Sequence, residues 1–66
     1  MEYKFVASVN GVTFTKVFEY EQDVTEYEDR LIDFCCLFLL SFSVSLFKKK
    51  IGEGPYLLLY KREKIF

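Results

Sequence analysis

The sequence predicts a small α+β domain with the element order ββαββ, a four-stranded antiparallel sheet with one helix packed on its apolar face. Two stretches that alternate apolar and polar residues flank Asn10-Gly11, and two more follow residue 41. Between them, from 24 to 40, apolar residues recur at intervals of three and four. Alternation at a period of two is typical of strands, and recurrence near 3.6 is typical of a helix.

The first hairpin is predicted by Asn10-Gly11, a dipeptide that tolerates the positive φ angles of a tight type I′ turn. If Val9 lies opposite Val12, the register follows by arithmetic. Ala7 then faces Phe14, Phe5 faces Lys16, Tyr3 faces Phe18 and Met1 faces Tyr20. One face of this hairpin is almost wholly apolar, and a slip by one residue would turn that face to solvent. The pattern therefore supports the register.

Acidic residues mark the expected start of the helix. Asp23 and Glu26 have the spacing of an N-cap and its capping-box partner, and the helix dipole favours further acids in the first turn. We therefore expect a helix from 24 to 40. The apolar residues that recur at three and four are Val24, Tyr27, Leu31, Phe34 or Cys35, and Phe38. Of these, we expect Tyr27, Leu31, Phe34 and Phe38 to fill the stripe that faces the sheet.

Two closing strands follow the helix. From Ser41 three serines alternate with apolar residues, up to the lysines at 48–50. The Gly-Glu-Gly-Pro segment at 52–55 predicts a turn, and 56–64 predicts the last strand. The central Tyr-Leu-Leu-Leu-Tyr of that strand suggests cover on both faces.

The chain has 66 residues, which predicts a single domain spanning 1–66. A domain of this size buries only about 60% of the surface that its unfolded chain exposes, so small domains usually need extra stabilisation. Cys35 and Cys36 are adjacent and cannot bridge without strain, and two thiols without any histidine fall short of a zinc site. We therefore expect no metal and no cofactor. Oligomerisation remains, and we expect a homodimer.

The second half of the predicted helix is the expected dimer interface. From 34 to 40 the chain is apolar on every side of the helix. When one stripe packs on the sheet, other apolar side chains are expected to point elsewhere and to need cover from a second copy. These residues are Cys36, Leu37 and Leu40.

Common catalytic residues and motifs are missing from the sequence. The chain contains no histidine, no glycine-rich phosphate loop and no nucleophile-elbow motif. Cys35 lies among apolar residues, which raise a thiol pKa and disfavour a reactive nucleophile. We expect a protein that is not an enzyme. Unpaired cysteines and the lack of a signal-peptide pattern at the N-terminus favour a cytoplasmic location.

Charge is distributed unevenly along the chain and indicates two candidate surfaces. The first, the acidic face, is expected to dock on a basic groove of a protein partner, or only to solubilise the domain. It comprises Glu19, Glu21, Asp23, Glu26, Asp29 and Asp33. The second, the basic strip, suits contacts to nucleic-acid phosphates, or serves to protect strand ends from aggregation. It comprises Lys48, Lys49, Lys50, Lys61, Arg62 and Lys64. The net charge of −1 counts against nucleic-acid binding.

An uncharged segment at 34–47 leaves a membrane-associated protein as a second alternative. This segment is fourteen residues long and is flanked by Asp33 and the lysines at 48–50. A membrane-spanning helix needs about 20 apolar residues, so buried core is the favoured interpretation.

In size and element order the chain resembles small host-takeover and anti-defence proteins of bacteriophages and archaeal viruses. The resemblance depends on the hairpin around Asn10-Gly11, the acid-rich helix start at Asp23, the closing strands and the lack of catalytic motifs. No diagnostic motif assigns site residues. The resemblance implies a viral inhibitor that occludes a host enzyme or defence complex in the host cytoplasm. The second hairpin is a departure, since some such proteins stop at ββαβ.

Overall fold

The computed structural model describes residues 1–52 and 54–66, and it confirms the ββαββ order. The elements are β1 (Glu2–Val9), β2 (Val12–Phe18), α1 (Glu21–Leu37), β3 (Phe42–Lys49) and β4 (Leu57–Lys64). They form one antiparallel sheet in the order β2-β1-β3-β4, so β1 and β3 are central and β2 and β4 are the edges. Because β2 and β3 both run antiparallel to β1, they are parallel to each other, and α1 crosses over β1 to join them.

The first hairpin has the predicted register. Val9 pairs with Val12, and the pairing continues without interruption to Tyr3 and Phe18. Asn10 and Gly11 have φ angles of 50° and 83°. Positive φ at both central positions is the signature of the type I′ turn, whose twist matches that of the flanking strands. The predicted pairing of Met1 with Tyr20 does not form, because both residues lie outside the strands.

The core lies between α1 and one face of the central strands. On β1 and β3 every second side chain is buried, as expected for strands covered on one face. The buried apolar residues are Tyr3, Phe5, Ala7, Phe42, Val44 and Leu46 from the sheet, and Val24 and Cys35 from the helix. Among residues 1–52 and 54–66, α1 is the one helix, so the described chain places no helix on the other face of the sheet.

The helix begins earlier than the sequence predicts. Its first residue is Glu21, and Tyr20 is the N-cap, with extended backbone and no side-chain hydrogen bond to the helix end. The Val24 N–H already donates to the Tyr20 carbonyl at 3.4 Å, so the first turn is formed before Asp23 could cap it. The prediction that Asp23 is the N-cap is therefore wrong. Asp23 lies in the first turn, where its charge still favours the helix dipole.

The rotation of the helix also differs from the prediction. Val24, Glu28 and Cys35 are the helix residues buried against the sheet, whereas Phe34 and Phe38 are 52% and 58% exposed. Val24 and Cys35 are eleven residues apart, three turns of helix, so they define one side. Phe34 precedes Cys35 by one position and is rotated about 100° from it. The expectation that Phe34 and Phe38 fill the sheet-facing stripe is wrong.

Two of the three residues expected at a dimer interface are turned partly toward the core. Cys36 and Leu40 are partly buried and pack against the core cluster, because the sheet-facing side is centred on Cys35. Leu37 alone of the three is exposed, at 76%. The premise that all three side chains point away from the core is therefore incorrect.

The helix ends with a Schellman motif. The Leu39 N–H donates to the Cys36 carbonyl, and the Leu40 N–H donates to the Cys35 carbonyl at 2.8 Å. Leu39 has a φ of 54°, the left-handed conformation that glycine usually supplies at this position. Leucine therefore closes the helix at a conformational cost.

Strand β4 is an edge strand with an irregular ladder. Leu46 pairs with Tyr60 and Phe47 pairs with Leu58, so Leu59 is an extra residue in a β-bulge. Leu57 and Leu58 are 63% and 57% exposed. The expectation of cover on both faces is wrong for this strand, because α1, the one helix among residues 1–52 and 54–66, packs mainly on β1 and β2, toward the opposite edge of the sheet. Of the turn predicted at 52–55, Glu53 lies outside the described residues.

Candidate protein-binding surfaces

The acidic face lies on the outer side of α1 and on the segment that leads into it. All six of its residues are exposed. Glu26, Asp29 and Asp33 are spaced by three and four positions, so their carboxylates form a row along the side opposite the sheet. The structure thus brings the central part of this predicted surface together.

The carboxylates of the acidic face have no cationic partners within the described residues. The two ion pairs formed there are Lys49 with Glu2 and Arg62 with Glu28, and neither uses an acidic-face residue. The one side-chain contact in the row is Gln22 Nε2 donating to Glu26 Oε1 at 3.5 Å. Arg30 is exposed on the same side of the helix, but it forms no ion pair with these carboxylates among the described residues. The three like charges outnumber this cation, so the outer side of the helix keeps a net negative charge. This surface is therefore complementary to a basic one.

The basic strip is divided between the two ends of the β3–β4 hairpin. Lys48 pairs with Leu57 at one end, and Lys64 pairs with Phe42 at the other. Phe42 and Lys48 are six positions apart on β3, which corresponds to about 20 Å. The exposed leucines of β4 lie between them. The structure therefore does not bring the six cations together in one strip.

Several cations of the basic strip are engaged within the chain. Arg62 lies 3.7 Å from Glu28 Oε1 and over the Tyr60 ring. Lys49 lies 3.8 Å from Glu2 Oε2 and over the Tyr56 ring. These contacts partly neutralise the charge that phosphate binding would require.

Glu28 is a polar residue in the core that the sequence did not single out as a site. Its side chain is buried, and Oε2 accepts a hydrogen bond from the Tyr60 hydroxyl of β4. Its other oxygen, Oε1, has no hydrogen-bond donor among the described residues. Burial, followed by the hydrogen bond to Glu28, raises the pKa of Tyr60. The available signal was position, because Glu28 follows Val24 by four residues and precedes Leu31 by three.

Cations and rings cover one corner of the open sheet face. Lys4 Nζ lies 4.3 Å from the centre of the Tyr56 ring and 5.0 Å from that of Phe47. The Tyr56 hydroxyl donates to Glu2, and this hydrogen bond is the main cause of the raised pKa of Tyr56. Glu2 in turn balances Lys49. The charges of this cluster are therefore largely satisfied from within.

The cysteines are free thiols, and Cys35 is buried in the core. Burial raises the pKa of the Cys35 thiol, and the neighbouring Cys36 adds to the shift. A raised pKa keeps the thiol protonated near neutral pH, so its nucleophilicity is low. In the part of the chain that the structure describes, cysteines and acids form no group of three placed to hold a metal ion.

The uncharged segment is divided between the end of α1 and the start of β3. Within residues 1–52 and 54–66, no helix combines the length and the apolar character that crossing a membrane would demand.

Comparisons with protein-family models, with curated proteins and with solved structures find no match to this chain. A function for this protein is therefore inferred from its fold class and its surfaces.

Proposed function

We propose that this protein is a non-catalytic protein-binding module that docks the acidic face of α1 on a basic surface of its partner. The observation that carries the proposal is the exposed row of carboxylates at Glu26, Asp29 and Asp33, without cationic partners among the described residues. A helix anchored to the sheet by Val24 and Cys35 holds that row in a defined geometry. Such preorganisation lowers the entropy cost of binding.

The chemistry of the row suits surfaces that normally bind phosphates. At 1.5 Å of rise per residue, the carboxylates of Glu26 and Asp33 lie about 10 Å apart along the helix axis. Basic grooves of nucleic-acid enzymes bind successive negative charges, and a rigid row of carboxylates can occupy the same groove. The narrower form of the proposal, favoured by the sequence resemblance, is a viral inhibitor that occludes a host enzyme or defence complex.

The distribution of the cations supports protein binding over nucleic-acid binding. Lys48 and Lys64 lie at opposite ends of β3–β4, and Arg62 is paired with a buried carboxylate. Affinity for nucleic acid depends on how many phosphates a protein neutralises together. A divided and partly neutralised set of cations is poorly suited to that task.

The test compares two variants that change net charge by equal amounts in opposite directions. The acidic variant is Glu26→Gln, Asp29→Asn and Asp33→Asn; the matched control is Lys48→Gln, Lys49→Gln and Lys50→Gln. Each is used as bait in lysate from the native cell, and the partner is identified by mass spectrometry and titrated as a purified protein. We expect the acidic variant to weaken binding by tenfold or more, and the control to bind like the wild type.

Salt dependence and nucleic-acid binding test the proposal further. Wild-type binding should weaken as the salt concentration rises, since exposed charges are screened. If the lysine variant loses binding and the acidic variant keeps it, the proposed face is wrong. A mobility shift with nucleic acid that the lysine variant abolishes would establish the alternative function instead.

A further inference from the structure

The two edges of the sheet differ in how well they are protected from pairing with another strand. Edge β4 has a bulge at Leu59 and carries four charged residues among its eight. Bulges and charges are the usual devices that prevent edge-to-edge association. Edge β2 pairs with β1 in an unbroken register, and Lys16 is its one charged residue. Val12 and Val17 on β2 are 68% and 55% exposed. The unprotected edge is therefore β2.

We propose that β2 pairs with β2 of a second copy, antiparallel about a two-fold axis at Thr15, to form one continuous eight-stranded sheet. This interface differs from the one that the sequence predicts at Cys36, Leu37 and Leu40. It also stands independently of the proposed docking of the acidic face.

The backbone of β2 presents the hydrogen-bonding groups that this arrangement requires. A two-residue turn closes with the Val12 N–H donating to the Val9 carbonyl, so Val9 and Val12 form a hydrogen-bonded pair. Bonded and non-bonded pairs alternate along an antiparallel ladder. The even-numbered residues of β2 therefore bond to β1, and the backbone groups of Thr13, Thr15 and Val17 point away from the sheet. With the axis at Thr15, Thr15 bonds to its own copy, and Thr13 bonds to Val17 of the second copy.

The side chains of β2 are self-complementary in the same register. The strand reads Val-Thr-Phe-Thr-Lys-Val-Phe, with Thr15 at its centre. Val12 lies opposite Phe18 of the second copy, Thr13 opposite Val17, Phe14 opposite Lys16 and Thr15 opposite Thr15. Aliphatic–aromatic, β-branched and Thr–Thr pairs across strands are stabilising.

Neighbouring registers fit less well. An axis at Lys16 places the two Lys16 side chains opposite each other, and like charges directly opposite are destabilising. An axis at Phe14 places Phe18 opposite Asn10, which lies in the turn and outside the strand. The axis at Thr15 overlaps all seven residues of the strand and places no like charges directly opposite.

An apolar flank of α1 extends the proposed interface above the sheet. Tyr27 packs against Phe18 with ring centres 5.5 Å apart, so its flank of the helix lies over β2. Phe34 and Phe38 follow Tyr27 by about two and three turns and share that flank. Their rings are 4.9 Å apart, and both are more than half exposed. A strand added beyond β2 extends the sheet beneath these rings.

The position of the two rings along β2 matches the proposed register. Helix α1 begins just after the Phe18 end of β2. It leads into Phe42 of β3, which pairs with Val9, and Val9 also pairs with Val12. The helix therefore ends near Val12. Phe34 and Phe38 thus lie near the Val12 end. Opposite Val12, the second copy supplies Phe18. An aromatic contact between Phe34 or Phe38 and that Phe18 would bury apolar surface that one copy leaves exposed.

Mass and amide exchange of the wild-type protein test the proposal directly. Sedimentation from about 1 to 100 µM should show the mass of two chains, with dissociation on dilution. Hydrogen exchange followed by NMR should show protection of the Thr13, Thr15 and Val17 amides in the dimer, in addition to the even-numbered amides of β2. In a single chain the protection alternates along β2, because the odd-numbered amides face solvent.

Two variants that add the same charge show whether β2 or β4 is the paired edge. Thr15→Lys places two lysines opposite each other on the axis and should raise the dimer dissociation constant by about tenfold or more. Leu58→Lys adds one lysine to the open face of β4 and should leave the dissociation constant unchanged. The exchange experiment uses the wild type, so it remains decisive even if Thr15→Lys does not fold.

A one-chain mass at tens of micromolar would overturn the proposal. So would a dimer in which the odd-numbered β2 amides exchange rapidly, because its interface would lie elsewhere. If Leu58→Lys dissociates the dimer and Thr15→Lys does not, β4 is the paired edge. The proposal would also be wrong if the free chain is monomeric and β2 pairs with a strand of another protein.

Discussion

Glu28 and Tyr60 join the helix to the edge strand β4. The Tyr60 hydroxyl donates to the buried Glu28 carboxylate, while Arg62 lies 3.7 Å from its other oxygen. An ionised carboxylate removed from water is stabilised only when donors and opposite charges compensate the lost hydration. Tyr60 and Arg62 supply that compensation from a strand that packs little of its own surface on the helix. Removing the hydroxyl should therefore leave Glu28 buried without a hydrogen bond.

Stability at high pH tests this residue pair. Burial and the Glu28 hydrogen bond raise the pKa of Tyr60 above the ordinary value of 10.0, so the folded chain holds the phenol proton more tightly than the unfolded chain. The stabilisation is present below about pH 10 and is lost as the pH rises from there toward the folded pKa. At pH 8 Tyr60→Phe should lose about 1–3 kcal/mol of unfolding free energy. By pH 11 its deficit relative to the wild type should narrow.

The measurement is urea denaturation of both proteins at the two pH values. Tyr20→Phe is the matched control, because Tyr20 is exposed and its loss should leave the wild-type pH dependence in place. A Tyr60→Phe deficit that is equal at pH 8 and pH 11 would contradict the assignment.

At the scale of elements, the helix end shows how backbone conformation and composition can disagree. Leu39 occupies the left-handed position of a Schellman motif, in which its own N–H donates to the Cys36 carbonyl and the Leu40 N–H donates to the Cys35 carbonyl. Left-handed backbone costs a non-glycine residue about 1–2 kcal/mol. Leu40, the next residue, packs against the core and holds the chain in this path. The motif therefore forms despite the leucine.

Glycine substitutions two residues apart should have opposite effects. Leu39→Gly removes the left-handed strain and should stabilise the fold by about 0.5–1 kcal/mol after the greater entropy of unfolded glycine is included. Leu37→Gly, in the last turn of regular helix, should destabilise it by about 1 kcal/mol. Both side chains are largely exposed, so little packing is lost in either case. Thermal unfolding measures both, and destabilisation by Leu39→Gly would contradict the argument.

At the scale of the whole molecule, stability depends on a small core. Within the described part of the chain eight apolar residues form the buried cluster, and Phe5 at the centre of the sheet is fully buried among them. Phe5 also packs edge-to-face on Tyr27 with ring centres 5.5 Å apart, so it joins β1 to α1. For 66 residues, a net stability of about 3–10 kcal/mol is expected. One large core side chain is therefore a considerable fraction of the total.

Truncation of Phe5 should remove a large fraction of the stability of the fold. Phe5→Ala should cost about 3–5 kcal/mol from lost burial and the cavity left behind. Leu57→Ala is the control, because Leu57 is mostly exposed on β4 and its truncation should change stability by about 0.5 kcal/mol or less. Circular dichroism against temperature measures both. A Phe5→Ala melting temperature within a few degrees of the wild type would show that Phe5 does not anchor the core.

Local signals in the sequence determined the type and order of the elements and the register of the first hairpin. Asn10-Gly11 has a backbone preference of its own, and the alternation on either side admits one pairing that buries an apolar face. The acidic residues 26, 29 and 33 could likewise be placed on one helix face, because helix periodicity requires it. These features depend on residues close together in the chain, which the sequence displays directly.

Tertiary packing alone decided the strand order, the rotation of the helix, and which charged residues are buried or lie close together. Residues 34–40 are apolar on every side of the helix, so no local signal shows whether Phe34 or Cys35 faces the sheet. The burial of Val24 and Glu28 in the first half of the helix fixed its rotation about its own axis. Glu28 is indistinguishable from its acidic neighbours until Tyr60 of β4 approaches it. The cations of the basic strip were separated by the antiparallel course of β3 and β4. In each case the deciding contact joins residues distant in sequence, and its energy depends on where the whole sheet places them.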